Sequence, residues 1–335
     1  MQKRRTTRTH RTGRRAPDRP RASRSAALVV AVVTAAGLFQ PAASAAPDAT
    51  VNASPGVLEP GRPTTVPYVA GRTFVTPHHR VTRPGPMLHL GRSVRGHLLW
   101  ETGRVVRVGP HGGVSEVLRG PGNYYVLGRG GHTLYEHRTR RDGRAVVLAR
   151  SARDGEVLAR RAFRRSTGIL TGTDGRVLLT EADRGTTRWW AWRSDGIVPV
   201  SEHTSYKADL ASGRLALSVP DEDGDGACTS VVDLSSADEL WRSCTESVHA
   251  FSPDGHRMLT TRGWPSDEGP AVLRLRNSRG EVLATYRSGW FGRVLWEGGG
   301  RPVIQTSRNG RTTLARCTPT GCRRAAPLWR TLLFP

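Results

Sequence analysis

Three aspartates in the stretch DEDGDG, residues 221–226, have the spacing of a calcium-binding loop. The D-x-D-x-D-G pattern turns three carboxylates toward one point, and the glycine permits the sharp bend that follows. A backbone carbonyl and a hydroxyl could add oxygens, so the candidate ligands are Asp221, Asp223, Asp225, Ala227 and Thr229. Position twelve holds Val232 in place of a bidentate glutamate. The pattern therefore predicts a weak, structural calcium site, and a solvated acidic turn is the alternative.

The four cysteines predict two disulfide bonds. Cys228 and Cys244 lie symmetrically about the turn at 235–238, so they can face each other on adjacent antiparallel strands. Cys317 and Cys322 enclose a Pro-Thr-Gly turn and would close a hairpin tip. Neither pair has the C-x-x-C spacing that zinc sites and redox centres use, so we expect structural bonds of an exported protein.

No motif of known catalytic chemistry occurs in the chain. The sequence contains no G-x-S-x-G nucleophile elbow, no P-loop and no Rossmann fingerprint. His78, His79 and His249 have no spaced partners that would make a metal or acid–base site. The tryptophans of RWWAWR, residues 188–193, are expected to pack between sheets, with a sugar-stacking platform as the alternative.

The first 45 residues read as a secretory signal peptide. Ten basic residues and one acid precede the uncharged run AALVVAVVTAAGLF, and Ala-Ser-Ala at 43–45 is a cleavage site. The run of about 14 residues is short for a membrane span. We therefore place the cut after Ala45, and an uncleaved membrane anchor is the alternative. Residues 46–63 are interpreted as a flexible linker, and residues 64–335 as the folded domain.

The chain remains basic without this leader. The formal charge of +23, less 9 for the leader, leaves +14, and Lys207 is its single lysine. An arginine-rich, lysine-poor composition is typical of a GC-rich genome, and no nucleic-acid recognition motif accompanies the charge. We expect no nucleic acid, no further membrane span and a monomer. The expected partner is an envelope or extracellular protein, or an anionic wall polymer.

A turn recurs along the chain about every 42 residues. The clearest copy is FSPDGHRML at 251–259, in which Pro253, Asp254 and Gly255 supply the conformations of a tight turn. A first series of turns falls at Gly96, Gly131, Gly175, Gly213, Gly255 and Gly300. A second series follows at Gly113, Gly155, Gly196, Asp238, Gly280 and Gly321.

Between the turns, apolar residues alternate at period two, which predicts an all-β chain of four-stranded units. The fifth unit shows the strands SVHAF, HRMLTT, AVLRLR and EVLATY. Six such units over about residues 87–328 predict a β-propeller with six four-stranded antiparallel blades. The stretch TTVPYVAGRTFVT at 64–76 reads as one further hairpin, which closes the ring or helps to build a seventh blade.

The repeat FSPDGHRML resembles that of WD-type and TolB-like propellers. The Trp-Asp dipeptide is missing, which favours the TolB-like, exported bacterial branch. The resemblance implies a ring that presents loops to a partner, and it transfers no catalytic residues. We therefore expect a secreted, non-enzymatic binding module at the cell envelope or outside the cell. The alternative is an enzyme acting on a wall polymer in the propeller channel, with Asp209 and Glu297 as candidates by position.

Overall fold

The computed structural model describes residues 49–120, 122–224, 226–263 and 269–331. These residues form 29 β-strands and no helix, so none of them makes a helix able to cross a membrane. The predicted signal peptide, residues 1–45, lies outside the described part. The strands form seven sheets, which are the blades of a seven-bladed β-propeller.

The first four strands of the chain build the smallest blade and an added outer strand. Strand β1 (Thr50–Asn52) pairs in parallel with the outer edge of a later blade. The N-terminal blade has three short antiparallel strands, β2 (Tyr68–Ala70), β3 (Thr73–Val75) and β4 (Arg80–Thr82).

Each of the next three blades is a four-stranded meander. Blade 1 consists of β5 (Met87–Ser93), β6 (Gly96–Glu101), β7 (Arg104–Val108) and β8 (Val114–Arg119). Blade 2 consists of β9 (Tyr124–Leu127), β10 (Thr133–Thr139), β11 (Ala145–Ser151) and β12 (Val157–Ala162). Blade 3 consists of β13 (Thr167–Gly172), β14 (Val177–Glu181), β15 (Thr186–Ala191) and β16 (Gly196–Ser201).

The last three blades repeat this arrangement. Blade 4 consists of β17 (Thr204–Asp209), β18 (Arg214–Pro220), β19 (Ala227–Asp233) and β20 (Glu239–Ser243). Blade 5 consists of β21 (Glu246–Phe251), β22 (Arg257–Arg262), β23 (Val272–Asn277) and β24 (Val282–Arg287), and β1 pairs with β24. Blade 6 consists of β25 (Trp290–Glu297), β26 (Arg301–Arg308), β27 (Arg311–Thr318) and β28 (Gly321–Arg324), and β29 (Trp329–Arg330) also pairs with β27.

The prediction of six blades is wrong, because the N-terminal blade completes a ring of seven. The six units found from the repeat are blades 1–6, and both series of turns fall where they were predicted. The first series joins the first and second strands of each blade, and the second series joins the third and fourth. The stretch 64–76, predicted as one further hairpin, forms β2 and β3 of this blade, and β4, which was not predicted, completes it.

The turn of FSPDGHRML has the predicted geometry. Gly255 has a positive φ of 72°, which residues other than glycine rarely adopt. Its N–H donates to the carbonyl of Ser252 at 2.9 Å. Asp254 accepts a hydrogen bond from the backbone N–H of His256 at 3.0 Å. The local residues therefore set this turn.

Residues 50–61 pack onto the propeller, so the linker assignment of 46–63 has to be revised. Ala53 is fully buried and Leu58 nearly so, both in the core cluster beneath blades 5 and 6. The N–H of Gly61 donates to the carbonyl of Arg324 at 2.9 Å. The Thr64 hydroxyl donates to Glu297 at 2.7 Å. These contacts join the beginning of the domain to its last blade.

The core lies between neighbouring blades, as expected for sheets stacked around an axis. The tryptophans of RWWAWR lie in two of these inter-blade clusters. Trp190 and Trp192 pack with Tyr135 of blade 2, whereas Trp189 packs with Leu215 of blade 4. The prediction of inter-blade tryptophans is confirmed.

Both predicted disulfide bonds are present. Cys228 bonds Cys244 with 3.9 Å between their Cα atoms, where β19 and β20 meet. Cys317 bonds Cys322 at a Cα–Cα distance of 4.1 Å, and the two face each other in the register of β27 and β28. Each bond therefore links the two strands of a single hairpin.

Candidate functional site: an arginine-lined groove

The acidic loop at 221–226 lies between β18 and β19. The side chain of Asp221 has a buried Oδ1 without a hydrogen-bond partner in the described residues. Asp225 lies outside the described residues, so the structure does not test the set of three carboxylates. The calcium site stays a prediction.

Two of the proposed outer ligands are on β19. Ala227 is paired with Pro220 across the β18–β19 ladder. Thr229 is 2% exposed, and its hydroxyl hydrogen-bonds the Tyr206 hydroxyl at 2.9 Å. Because this hydroxyl is engaged inside the blade interface, Thr229 is a poor calcium ligand in this conformation.

The two carboxylates named for an enzymatic alternative are engaged in structural contacts. Glu297 accepts hydrogen bonds from Arg316 Nε at 2.6 Å and Nη2 at 2.8 Å. The Arg316 hydrogen bonds lower the pKa of Glu297, which keeps it ionised. Asp209 accepts from the backbone N–H of Ser212 at 2.9 Å and so caps the turn after β17.

Pairing of buried glutamates with arginines recurs around the ring. Glu101 contacts Arg104, Glu136 contacts Arg150, Glu181 contacts Arg188 and Glu246 contacts Arg276. In each pair the arginine stands on the third strand of its blade. These carboxylates hold strands together, since a buried charge requires a partner.

A cluster of arginines lies between blades 2 and 3. A groove of about 450 Å³ is lined by five arginines and a single acid, Glu181. The arginines come from the β10–β11 turn, the end of β12 and the β14–β15 hairpin: Arg144, Arg161, Arg164, Arg184 and Arg188. A second depression of about 460 Å³ shares two of these arginines and adds Arg165. The two form one extended basic surface, which we call the arginine groove.

Two of the groove arginines are paired and three are not. Arg161 donates from Nη1 to Oδ1 of Asp195 at 2.8 Å. Arg188 Nε lies 3.7 Å from Oε2 of Glu181. In the described part of the chain, the side chains of the exposed Arg144, Arg164 and Arg184 make no hydrogen bond or ion pair. Three free guanidinium groups, each with five donors, therefore face the solvent together.

The acids nearby compensate this charge only in part. The pKa of Asp142 is lowered, first by the hydrogen bond from the Arg144 N–H and then by the charges of arginines that include Arg144 and Arg165. Asp142 is exposed, so water screens its effect on the groove. Asp183 is also exposed. The groove keeps an excess of positive charge.

The backbone holds the groove in shape. The N–H of Phe163 donates to the carbonyl of Ala145 at 2.7 Å, which fixes the end of β12 beside the β10–β11 turn. The Phe163 ring packs edge-on against the buried Trp190 ring, with centroids 5.6 Å apart. An apolar contact thus anchors the segment that carries Arg161 and Arg164.

This surface was not predicted from the sequence, because the high arginine content was attributed to a GC-rich genome. The local signal was nonetheless visible in RTRRDGR at 138–144 and RRAFRR at 160–165. Only the fold brings Arg184, from the next blade, to the same groove.

Comparison with known proteins supports the fold. No protein-family model and no curated protein matches the sequence. A chain in the crystal structure of the mitotic checkpoint complex is similar, with a TM-score of 0.52 and 11% identity over 75% of this chain and 85% of that one. The dihydro-heme d1 dehydrogenase NirN, solved in complex with DHE, gives a TM-score of 0.50 and 11% identity over 81% of this chain and 66% of that one.

Hsv2 of Kluyveromyces lactis is a further match, with a TM-score of 0.48 and 9% identity over 69% of this chain and 74% of that one. The neighbours include WD40 β-propellers, and the TolB-like branch of the predicted resemblance is not confirmed. At these identities the similarity shows the fold alone.

Proposed function

We propose that this chain is a secreted, non-enzymatic binding module that holds an anionic wall polymer along the arginine groove. The three unpaired guanidinium groups of Arg144, Arg164 and Arg184 are the observation that carries this proposal. Guanidinium groups bind carboxylate and phosphate through paired hydrogen bonds, and a row of them suits a ligand with repeated charges. The two disulfide bonds fit an oxidising location outside the cytoplasm.

A binding role also agrees with the structural contacts that Asp209 and Glu297 already make. An enzyme that cleaves a glycan generally needs two carboxyl groups free to act as acid and base or nucleophile. Asp209 and Glu297 are the candidates for that role. Asp209 caps the turn after β17, and Glu297 accepts hydrogen bonds from Arg316. A rigid propeller with a charged rim groove is better suited to holding a polymer than to cleaving it.

Co-sedimentation with cell-wall material tests the proposal. The full chain is mixed with wall sacculi from which the covalently linked anionic polymers have or have not been removed. We expect binding to intact sacculi, and weaker binding after removal or at higher salt, because the attraction is electrostatic. Equal binding to both preparations would contradict the proposal.

A matched set of substitutions locates the binding surface. The variant Arg144→Gln/Arg164→Gln/Arg184→Gln should bind about tenfold less tightly, from three exposed charge contacts of about 0.5 kcal/mol each. The control Arg153→Gln/Arg279→Gln/Arg311→Gln removes the same charge from exposed sites elsewhere on the ring and should bind nearly as wild type does. An equal loss in both variants would show attraction to net charge instead of a groove.

A further inference from the structure

Arg293 is a solvent-exposed cation that lines the space at the closure of the ring. It stands within the bulge between Phe291 and Val294 on β25, the first strand of blade 6. Its side chain makes no hydrogen bond or ion pair with any residue that the structure describes. Partial desolvation by the surrounding blades lowers the pKa of Arg293. Because arginine keeps its proton in proteins, the guanidinium stays charged where it lines this space and can bind an anion.

The side chain lines a cavity of about 110 Å³ where blade 6, the N-terminal blade and blade 1 meet. Most of the wall is apolar, formed by side chains that include Tyr68, Met87, Leu295, Leu314 and Trp329. Polar groups converge on it from His89 and Gln305. The Gln305 amide also makes no side-chain hydrogen bond among the described residues. An apolar pocket with a few convergent polar groups is the usual form of a small-molecule site.

The short N-terminal blade explains why the space is open. Its three strands of three residues offer few side chains to the interface that the other blades fill. Tyr68 stacks on Trp329 in the wall of this space, with ring centroids 6.1 Å apart. The cavity is therefore a consequence of the topology of ring closure.

The surrounding first strands offer no free counterion. The acids on β17, β21 and β25 are Asp209, Glu246 and Glu297, and each already accepts hydrogen bonds from its own partners. Lys207, on β17, also lacks a partner among the described residues. Together with burial, which has the larger effect, its positive charge lowers the pKa of His249 on the next blade. Burial and then the positive charge of Arg293 likewise lower the pKa of His89. The interior of the ring is thus a positive environment.

We propose that this cavity binds a small oxyanion, a carboxylate or phosphate group, held by the Arg293 guanidinium and the Gln305 amide. The guanidinium supplies two parallel donors to two oxygens, and the amide supplies another. The volume equals that of about three to four waters, which limits the ligand to a small anion or to the charged end of a short molecule. This site lies outside the arginine groove, so the two proposals can fail separately.

Thermal unfolding of the full chain tests the site. Unfolding is followed in a zwitterionic buffer at constant ionic strength while chloride is replaced by acetate, butyrate or phosphate. A ligand that binds only the folded state raises the Tm, and we expect a rise of ~2 °C or more at saturation. Acetate or butyrate acting at lower concentration than phosphate identifies a carboxylate ligand, and the reverse order identifies a phosphate.

The variants Arg293→Met and Gln305→Met should abolish the rise, and Arg279→Met, at an exposed turn of blade 5, should keep it. The proposal is overturned if none of the three anions raises the Tm above its value in chloride, or if Arg293→Met retains the rise. The groove variant should keep the rise.

Discussion

The fold is sensitive to acid because His89 is buried in its neutral form. The ring is 9% exposed and lies between Phe74, at a centroid distance of 5.0 Å, and His97 at 5.1 Å. Its Nε2 shares a hydrogen bond of 3.1 Å with Nδ1 of His97. Burial, then the charges of Arg293 and His97, lower the pKa of His89 from 6.5 to about 3.

The direction of the effect follows from proton binding. Between pH 6.5 and about 3, the unfolded chain protonates this imidazole and the folded chain does not. Lowering the pH therefore favours unfolding, and the stabilisation is fully present only above the unfolded pKa. At pH 4, two and a half units below that value, the loss is about 3 kcal/mol at about 1.36 kcal/mol per unit.

The substitution His89→Gln isolates this contribution. It removes the titrating ring and keeps a hydrogen-bonding group beside His97. Urea denaturation at pH 7 and pH 4 gives the free energy of unfolding at each pH. The decrease from pH 7 to pH 4 should be about 3 kcal/mol smaller in the variant than in wild type, whatever the substitution costs at pH 7.

The exposed His203 supplies the control. His203→Gln should lose as much stability on acidification as wild type does. If His89→Gln loses as much as wild type between pH 7 and pH 4, the reasoning fails, because the imidazole then titrates alike in both states.

Four further predictions concern the disulfides, the acidic loop, the leader and the ion pairs. The double variant Cys228→Ser/Cys244→Ser should lose about 2–3 kcal/mol of unfolding free energy in denaturant melts, since the bond closes a short loop; no loss under oxidising conditions would contradict this. Millimolar calcium should raise the Tm of wild type but not of Asp223→Ala, and an equal rise in both would exclude a site in that loop. Intact mass of the exported protein should show a chain starting at Ala46. Glu246→Gln should cost about 3 kcal/mol in the same melts, because it leaves arginines at blade 5 without their carboxylate; a change under 0.5 kcal/mol would refute the structural role of this pair.

The sequence alone determined the features that depend on neighbouring residues. The turn at Gly255 follows from Pro253 and Asp254 beside it, and the pairing of Cys317 with Cys322 follows from a hairpin of six residues. Alternation at period two is likewise a local property, so the four strands of blade 5 were predicted to within about a residue. The repeat therefore indicated a propeller before any tertiary contact was known.

Only the tertiary structure decided the number of blades and the position of the sites. The sequence indicated the hairpin of β2 and β3, but its role as part of a seventh blade follows from packing between blades 6 and 1. Arg184 joins Arg144 in one groove although 40 residues separate them, and Arg293 lies beside His89 across the closure of the ring. The spacing of turn residues predicts hydrogen bonds within a hairpin. It does not predict which side chains meet across blades, because those contacts depend on the curvature and closure of the whole ring.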